Sequence, residues 1–498
     1  MVKSPSIDTT ENSAERQATL VRALSRVLPP RGLLWKPEDT APYECDGLTA
    51  FRSLPLAVAL PESEEQAQRV LRICYDLGVP VVPRGAGTGL SGGATPIAAG
   101  LVLSVARLNK ILEIDPRARL AVVQAGVRNL AISEAAAPHG LYYAPDPSSQ
   151  IACTIGGNVA ENAGGVHCLK YGLTVHNVWR VRALLMTGEV VEVGSHAPDA
   201  PGLDLLALLI GAEGMLAVVT EVTVKLLPRP PAAQTLLASF DDVEKAGDAV
   251  AQIIAAGIVP AGLEMMDRPA VAAVEEFIHA GYDLDAEVLL LCDADGTAEE
   301  VADEIERMLA VLRRSGATRI QISQSAAERA RFWSGRKNAF PAAGRLSPDY
   351  YCMDGTIPRK HIGALLRRIQ QLEQEHRLRC INVFHAGDGN MHPLILYNGA
   401  SADEWQRAER FGAEVLEACV AFGGTITGEH GVGMEKLDAV CVQFSVAERA
   451  ALTAIKEAFD PRRLLNPGKV IPTLHRCAEY GRVRTRDGAL PHPELPRF

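Results

Sequence analysis

Residues 83–93 read PRGAGTGLSGG, with five glycines in the last nine positions. From Gly87 to Gly92 the stretch matches G-x-G-x-x-G, the spacing of a nicotinamide-dinucleotide loop. That loop needs a strand before the glycines and a helix after them, with the helix N-terminus facing the pyrophosphate. The strand is present: VPVVP at 79–83 is a short apolar run. It closes a βαβ unit that begins with VAL at 58–60 and passes through a helix opened by the capping box Ser63-Glu64-Glu65-Gln66. The helix after the glycines is missing. Pro96 and Gly100 interrupt the chain, and GLVLSV at 100–105 reads as another strand. LEID and AVVQAG continue in the same style, and helical spacing returns only near Leu130–Ala137. The nicotinamide fingerprint is therefore coincidental. Consecutive backbone N–H groups in a tight loop can still cradle an anion without a helix. So many glycines between two apolar strands carry an entropic cost that a bound ligand explains.

Two further glycine loops follow. TIGGNVAENAGG spans 154–165, after the proline-stiffened APDPSS at 144–149, and GAEGMLAVVTEVTVKLLP runs from 211 into a buried strand. Three such loops imply one long ligand touched by backbone at several points. PRPPAAQ at 228–234 marks a boundary. Beyond it, QTLLASF, GLEMMD, EVLLLCDAD and TRIQIS alternate with helical segments near 242–256, 269–279, 297–314 and 325–340, the pattern of an α+β domain with an open sheet. Residues 1–15 read as a polar tail and 472–498 as an irregular one.

The chain has 498 residues, enough for two or three domains, and a formal net charge of -10, which leaves no basic footprint for nucleic acid. Its 10 cysteines form no C-x-x-C pair. Neither a zinc ribbon nor a cysteine-held iron–sulphur cluster is expected, and reduced thiols in a cytoplasmic protein are. The apolar run LLALLIGAEGMLAVV at 205–219 is broken by Glu213 and two glycines, so no transmembrane segment is expected. Membrane contact, at the inner membrane, would be peripheral and through partners.

HAGDGNMH at 385–392 joins two apolar runs through Asp388-Gly389, the signature of a two-residue type I′ hairpin. In that register His385 and His392 face each other as a two-point metal site, and Glu429 in TGEHGVG offers a third ligand. FWSGRKNAF at 332–340 offers Arg336 as a bidentate partner for a carboxylate.

The ordered set PRGAGTGLSGG, PDPSS, TIGGNVAENAGG, AEG, HAGDGNMHP, TGEHGVGMEK and NPGK resembles the FAD-linked 2-hydroxy-acid oxidases and dehydrogenases of the vanillyl-alcohol-oxidase/PCMH superfamily. The resemblance is greatest to the glycolate oxidase branch and covers about residues 20–470. It implies an α+β fold: a PCMH-type FAD-binding domain of two α/β subdomains at 16–229, and a C-terminal α+β FAD-linked-oxidase cap domain at 230–471 that binds substrate. By this resemblance Arg84, Gly85, Ala86, Gly87, Thr88, Gly89 and Gly92 hold the pyrophosphate. Pro147, Ser148, Gly156, Gly157, Asn158, Asn162 and Glu213 lie near the flavin, with Val219 at the adenine end. Members with covalent flavin carry a histidine four residues after the arginine. Thr88 stands there, so non-covalent FAD is implied.

The family also places a zinc-like divalent metal on the equivalents of His385, His392 and Glu429, the general base at His430, and the substrate carboxylate on Arg336. The implied reaction oxidises a small 2-hydroxy acid, glycolate to glyoxylate or D-lactate to pyruvate, by hydride transfer to flavin. No lysine stands near Cys352 for a second carboxylate. Electrons would pass to an iron–sulphur subunit, with a second FAD-domain subunit alongside. The alternatives are a stand-alone D-lactate dehydrogenase donating to quinone or cytochrome, and a flavin-binding electron-transfer subunit without its own substrate. The complete His385/His392/Glu429/His430 set speaks against the last.

Overall fold

The computed structural model describes residues 13–197 and 202–472, so the expected C-terminal tail lies, after its first residue, outside the described residues. The βαβ unit forms as its residues require. β1 (Leu33–Leu34), β2 (Ala57–Ala59), β3 (Val81–Arg84) and β4 (Leu101–Ser104) make a four-stranded sheet in the order β1-β2-β4-β3. β2, β4 and β3 are parallel, and β1 is an antiparallel edge. The helix Glu64–Leu77 joins β2 to β3. The Ser63 side chain caps it by accepting from the Gln66 N–H, and Gly78 ends it at φ +66°, a conformation that favours glycine. Its buried Ala67, Val70, Leu71 and Cys74 follow helical spacing and face the sheet. The glycine stretch leaves the C-terminal end of β3, and a strand rather than a helix follows it.

β5 (Ile111–Asp115), β6 (Leu120–Gln124), β8 (Val178–Leu184), β9 (Val190–Gly194) and β10 (Val218–Lys225) form a second, antiparallel sheet in the order β5-β6-β10-β8-β9. β7 (Leu141–Tyr142) and β11 (Leu227–Pro228) pair as a short ribbon beside it.

The C-terminal half is built on a seven-stranded sheet. Its strands are β12 (Ala232–Phe240), β13 (Gly262–Asp267), β14 (Val288–Gly296), β15 (Arg319–Ile322), β16 (Asp349–Cys352), β17 (Cys380–Phe384) and β18 (Pro393–Tyr397), in the order β15-β12-β14-β13-β17-β18-β16. Both faces are covered. Val288, Leu290, Cys292 and Ala294 of β14 pack under the helices Val243–Ala255, Ala298–Arg314, Ile362–His376 and Ala402–Ala421. Leu289 and Leu291 pack under Arg268–Ile278, Ala326–Lys337 and Ala339–Leu346. This double cover explains why these strands read as continuous apolar runs.

The chain then returns to its N-terminal half. After the helix Val446–Phe459, Leu465 bridges Val81 in parallel, and the Val81 N–H donates to the Leu464 carbonyl at 2.8 Å. Lys469, fully buried, donates to the carbonyls of Gly93 and Thr95 at 2.8 and 2.9 Å. Residues beyond the 229/230 boundary thus complete the first sheet and brace the glycine loop.

His167 lies between the two halves. Its Nδ1 is 2.7 Å from Asp146 in the N-terminal half, and its Nε2 is 4.0 Å from Asp293 on β14. Burial alone would lower its pKa, but Asp146 and Asp293 outweigh burial and raise it to about 9. The folded chain therefore holds this proton more tightly than the unfolded chain. The stabilisation is complete below the ordinary value of 6.5 and is lost as pH rises through about 9. A His167→Gln variant is expected to flatten the fall in melting temperature between those pH values relative to wild type, as read by differential scanning fluorimetry.

Candidate active site between the two halves

The first and second glycine loops face each other. Thr154 caps the short helix Ile155–Glu161 through its side chain, which accepts from the Gly157 N–H. A Cβ on Gly85 would stand 2.3 Å from Thr154 Oγ1, and one on Gly156 would stand 2.7 Å from the Ala125 Cβ. Gly87 has φ +72°, and a Cβ there would meet the Arg84 guanidinium at 2.2 Å. Arg84 is held beneath the loop by the Cys45 carbonyl at 2.7 Å. The third loop is stitched to the second: the N–H groups of Gly211 and Glu213 donate to the carbonyls of Val159 and Ala160 at 2.8 and 2.7 Å. Gly85, Gly87, Gly156 and Gly157 of the facing loops line one cavity of about 370 Å³.

That cavity runs from the glycine loops to the histidines. Arg84, Gly85, Ala86, Gly87, Thr88, Gly89, Pro147, Ser148, Gly156, Gly157, Asn158, Glu213 and Val219 line one part, and Arg336, His385, His392, Glu429 and His430 line the other. Two expected residues stand outside the lining. Asn162 ends the short helix at φ 52°, and its side chain accepts from the Val175 N–H at 2.9 Å. Gly92 forms a turn in which its carbonyl accepts from the Thr95 N–H. The cradle of glycines that a Cβ would fill suits a long phosphate-bearing cofactor.

The histidine pair meets by a different register from the one expected. β17 and β18 pair Cys380 with Ile395 and Asn382 with Pro393, and His385 bridges Asn390 rather than His392. The turn holds four residues, 386–389. The Asp388 side chain accepts from the Asn390 N–H at 3.1 Å, and this local bond replaces a two-residue type I′ turn. His392 is therefore the diagonal neighbour of His385, on the same face, and the rings reach 5.2 Å between centroids.

Glu429 Oε1 is the focus of this cluster. It lies 3.0 Å from His392 Nε2, 3.5 Å from His385 Nε2 and 3.7 Å from His430 Nε2. His385 Nδ1 faces Glu264 at 2.8 Å, and His392 Nδ1 faces the Met353 carbonyl at 3.2 Å. Those partners only accept, so both Nδ1 atoms donate, and either ring, when neutral, carries its lone pair on Nε2. Lone pairs and a carboxylate cannot converge without protons or a cation between them. Tetrahedral zinc spaces its nitrogen and oxygen ligands roughly 3.3 Å apart, so the donor set fits a divalent metal. His392, Glu429, His430 and Asp354 form one grouping whose donor atoms lie within 4.8 Å of one another, and Cys352 forms another with the two histidines His392 and His430. His385 reaches Glu429 but stands outside both groupings.

Burial disfavours charge on His385, but the Glu264 and Glu429 carboxylates reverse this and hold its pKa well above the ordinary range. Burial likewise opposes ionisation of Glu429, and the hydrogen bonds of His385 and His392 hold its carboxylate well below the usual range. Burial lowers the pKa of His430 to about 4, against the pull of Asp354. Its ring stacks on His392 at 4.9 Å, and its Nδ1 is buried without a hydrogen-bond partner.

Two carboxylates that sequence reasoning missed organise the site. Asp354, fully buried, accepts from the N–H groups of Gly428, Glu429 and His430 and lies 3.2 Å from Lys436 Nζ. Glu264 accepts from Arg336 Nε at 2.7 Å. Asp354 sits in an Asp-Gly pair, which carries no local mark of burial. Glu264 left a signal: a carboxylate flanked by apolar residues inside the GLEMMD strand. Asp354→Asn takes from buried Lys436 its nearer carboxylate, leaving Glu435 at 3.7 Å, and is expected to cost about 3–5 kcal/mol of stability in urea unfolding. The double variant with Lys436→Met should regain most of that loss.

A family model described as "FAD binding domain" matches residues 55–194, and one described as "FAD linked oxidases, C-terminal domain" matches residues 229–470. The glycolate oxidase subunit GlcD of Escherichia coli K12 is 59% identical over 97% of this chain and 97% of its own. The GlcD of Bacillus subtilis is 39% identical over 86% of this chain and 91% of its own. A D-lactate dehydrogenase of Anaerostipes hadrus is 32% identical over 89% of this chain and 95% of its own. Among solved structures, p-cresol methylhydroxylase with substrate bound superposes with a TM-score of 0.78 at 18% identity, covering 93% of this chain and 98% of that one. That likeness concerns the fold. With the facing glycine loops and the sheet that closes the same cavity, these matches place the chain in the family of FAD-linked oxidases, with FAD as its cofactor.

Proposed function

We propose that the chain oxidises a small 2-hydroxy acid, glycolate to glyoxylate and also D-lactate to pyruvate. The observation that carries this reading is that Arg336 and His430 line the same cavity as the glycine loops. FAD, when bound, accepts the hydride that leaves the α-carbon. Arg336 takes the substrate carboxylate: its Nε is committed to Glu264, and its two terminal nitrogens are the pair a carboxylate needs. His430 takes the hydroxyl proton. With its pKa near 4 the imidazole is neutral at pH 7 and ready to accept. His385, His392 and Glu429 hold a divalent cation, which would acidify the hydroxyl when present. FAD is held non-covalently, with Thr88 in the pyrophosphate loop.

Two of the relatives named above are designated subunits, and this supports a place in a multi-subunit enzyme. Electrons then leave through an iron–sulphur subunit, with a second FAD-domain subunit in the assembly. Among the described residues no helix is long and apolar enough to cross a membrane, so attachment to one would run through such partners. The relative named D-lactate dehydrogenase keeps a stand-alone D-lactate dehydrogenase as the second reading.

Glycolate or D-lactate, added without oxygen, is expected to bleach the flavin band rapidly, while D-2-hydroxyglutarate is not. A flavin that none of these acids reduces would overturn the reading. His430→Ala should keep its FAD and slow the bleaching by roughly 10²–10⁴-fold, measured by stopped flow.

A further inference from the structure

Glu264 touches both functional groups of the cap. It lies on β13 and is 1% exposed. Its Oε2 accepts from Arg336 Nε at 2.7 Å, and its Oε1 lies 2.8 Å from His385 Nδ1. The β13–β17 register pairs Met265 with Phe384, so one step further Glu264 stands opposite His385. An ionised carboxylate offers no hydrogen, so Nδ1 is the donor and a neutral His385 keeps its lone pair on Nε2. That nitrogen is 3.5 Å from Glu429. The bond to Arg336 uses Nε and leaves the terminal nitrogens of a cavity-lining side chain for a bidentate ligand.

The geometry points to Glu264 as a positioning residue that sets two groups at once, the tautomer of His385 and the placement of the Arg336 fork. This rests on the 2-hydroxy-acid reading, in which Arg336 receives the carboxylate. A glutamine at 264 fills the same volume but cannot satisfy both partners. If its oxygen accepts from Arg336, its NH₂ faces Nδ1. His385 must then move its proton to Nε2 and loses the lone pair a metal needs.

The test compares FAD-loaded wild type with Glu264→Gln. Oxalate, a carboxylate ligand that is not oxidised, is titrated by its perturbation of the flavin spectrum. Zinc ion is titrated into chelator-stripped protein. In the variant, zinc affinity is expected to fall by about 10–100-fold, as for other carboxylates behind a metal-binding histidine. Oxalate affinity should fall by about the same factor, since a charge-assisted hydrogen bond is at stake. FAD content should stay close to wild type, while the melting temperature is expected to fall, because Arg336 loses a buried partner.

Unchanged affinities for both ligands overturn the proposal, and so does a loss confined to one of them. Weakening that only tracks loss of bound FAD also overturns it, because a merely structural carboxylate would do the same. If the amide fails to fold, Glu264→Asp keeps the buried charge. It withdraws the carboxylate from both partners by one C–C bond, about 1.5 Å, and should weaken both ligands. A wild type that oxidises no 2-hydroxy acid would sink the functional reading, while the two binding ratios would still decide Glu264.

Discussion

The Glu213 carboxylate accepts the N–H groups of Val432 and Gly433, both at 2.6 Å, across 219 and 220 residues of sequence. Much of the site depends on that clasp. Glu213 belongs to the third glycine loop, whose backbone is bonded to the second, and the second faces the first. The residues it grips lie two and three positions after His430. One end of the histidine loop is thus fixed to the FAD domain by Glu213, and the other to the cap by Asp354. The clasp leaves no room for a side chain between. Gly431 sits at φ +82°, and a Cβ there would lie 2.2 Å from Glu161 Oε2 and 2.8 Å from the Glu213 carboxyl. The crowding has an electrostatic consequence: burial first, and then the Glu213 charge, push the Glu161 carboxyl well above its ordinary range. Two acids this close in a dry site do not both ionise.

The fold was legible where local chemistry and long-range packing agree. The Ser63 cap, the helix behind it and the stop at Gly78 are local signals, and each forms as read. The absence of a helix after Gly93 was equally local, and it separates this loop from a nicotinamide site. The open α+β sheet was legible in its apolar runs, but its double cover was not, although strands buried on both faces lose their alternation. The register of the histidine hairpin was not. Asp388-Gly389 matches a type I′ turn, but an aspartate can also bond its own backbone two residues on, and here it does. The shift by two residues keeps side-chain parity, so His385 and His392 still share a face. A shift by one would have separated them.

The missed residues have one cause. Asp354, Glu264 and Lys436 are buried charges whose partners lie far away in sequence, and no local pattern predicts such pairing. Asn162 and Gly92 err in the other direction. Their segments do form part of the cavity wall, but these two side positions serve the helix end and the turn. A motif fixes which segment approaches a ligand more securely than which atom touches it.

Buried charge at this density is costly unless each group has a partner, and the arrangement shows what the cost secures. On the large sheet, Glu264, His385 and His392 share the side-chain parity of Met266, Val383 and Leu394, which pack under the helix Ala326–Lys337 that carries Arg336. The same pleat that buries apolar side chains therefore aims the reactive ones at the arginine, and the change from apolar to polar falls at the strand ends nearest the cavity. The glycine loops leave their own sheet at the end of β3, and the returning C-terminal segment braces them there through Lys469. Neither half supplies both a cofactor cradle and a proton acceptor. A cavity that holds both forms only where the two sheets meet. The carboxylates at that seam, Glu213 from one half and Asp354 from the other, face backbone N–H groups rather than solvent, so they can order a loop that has no secondary structure of its own.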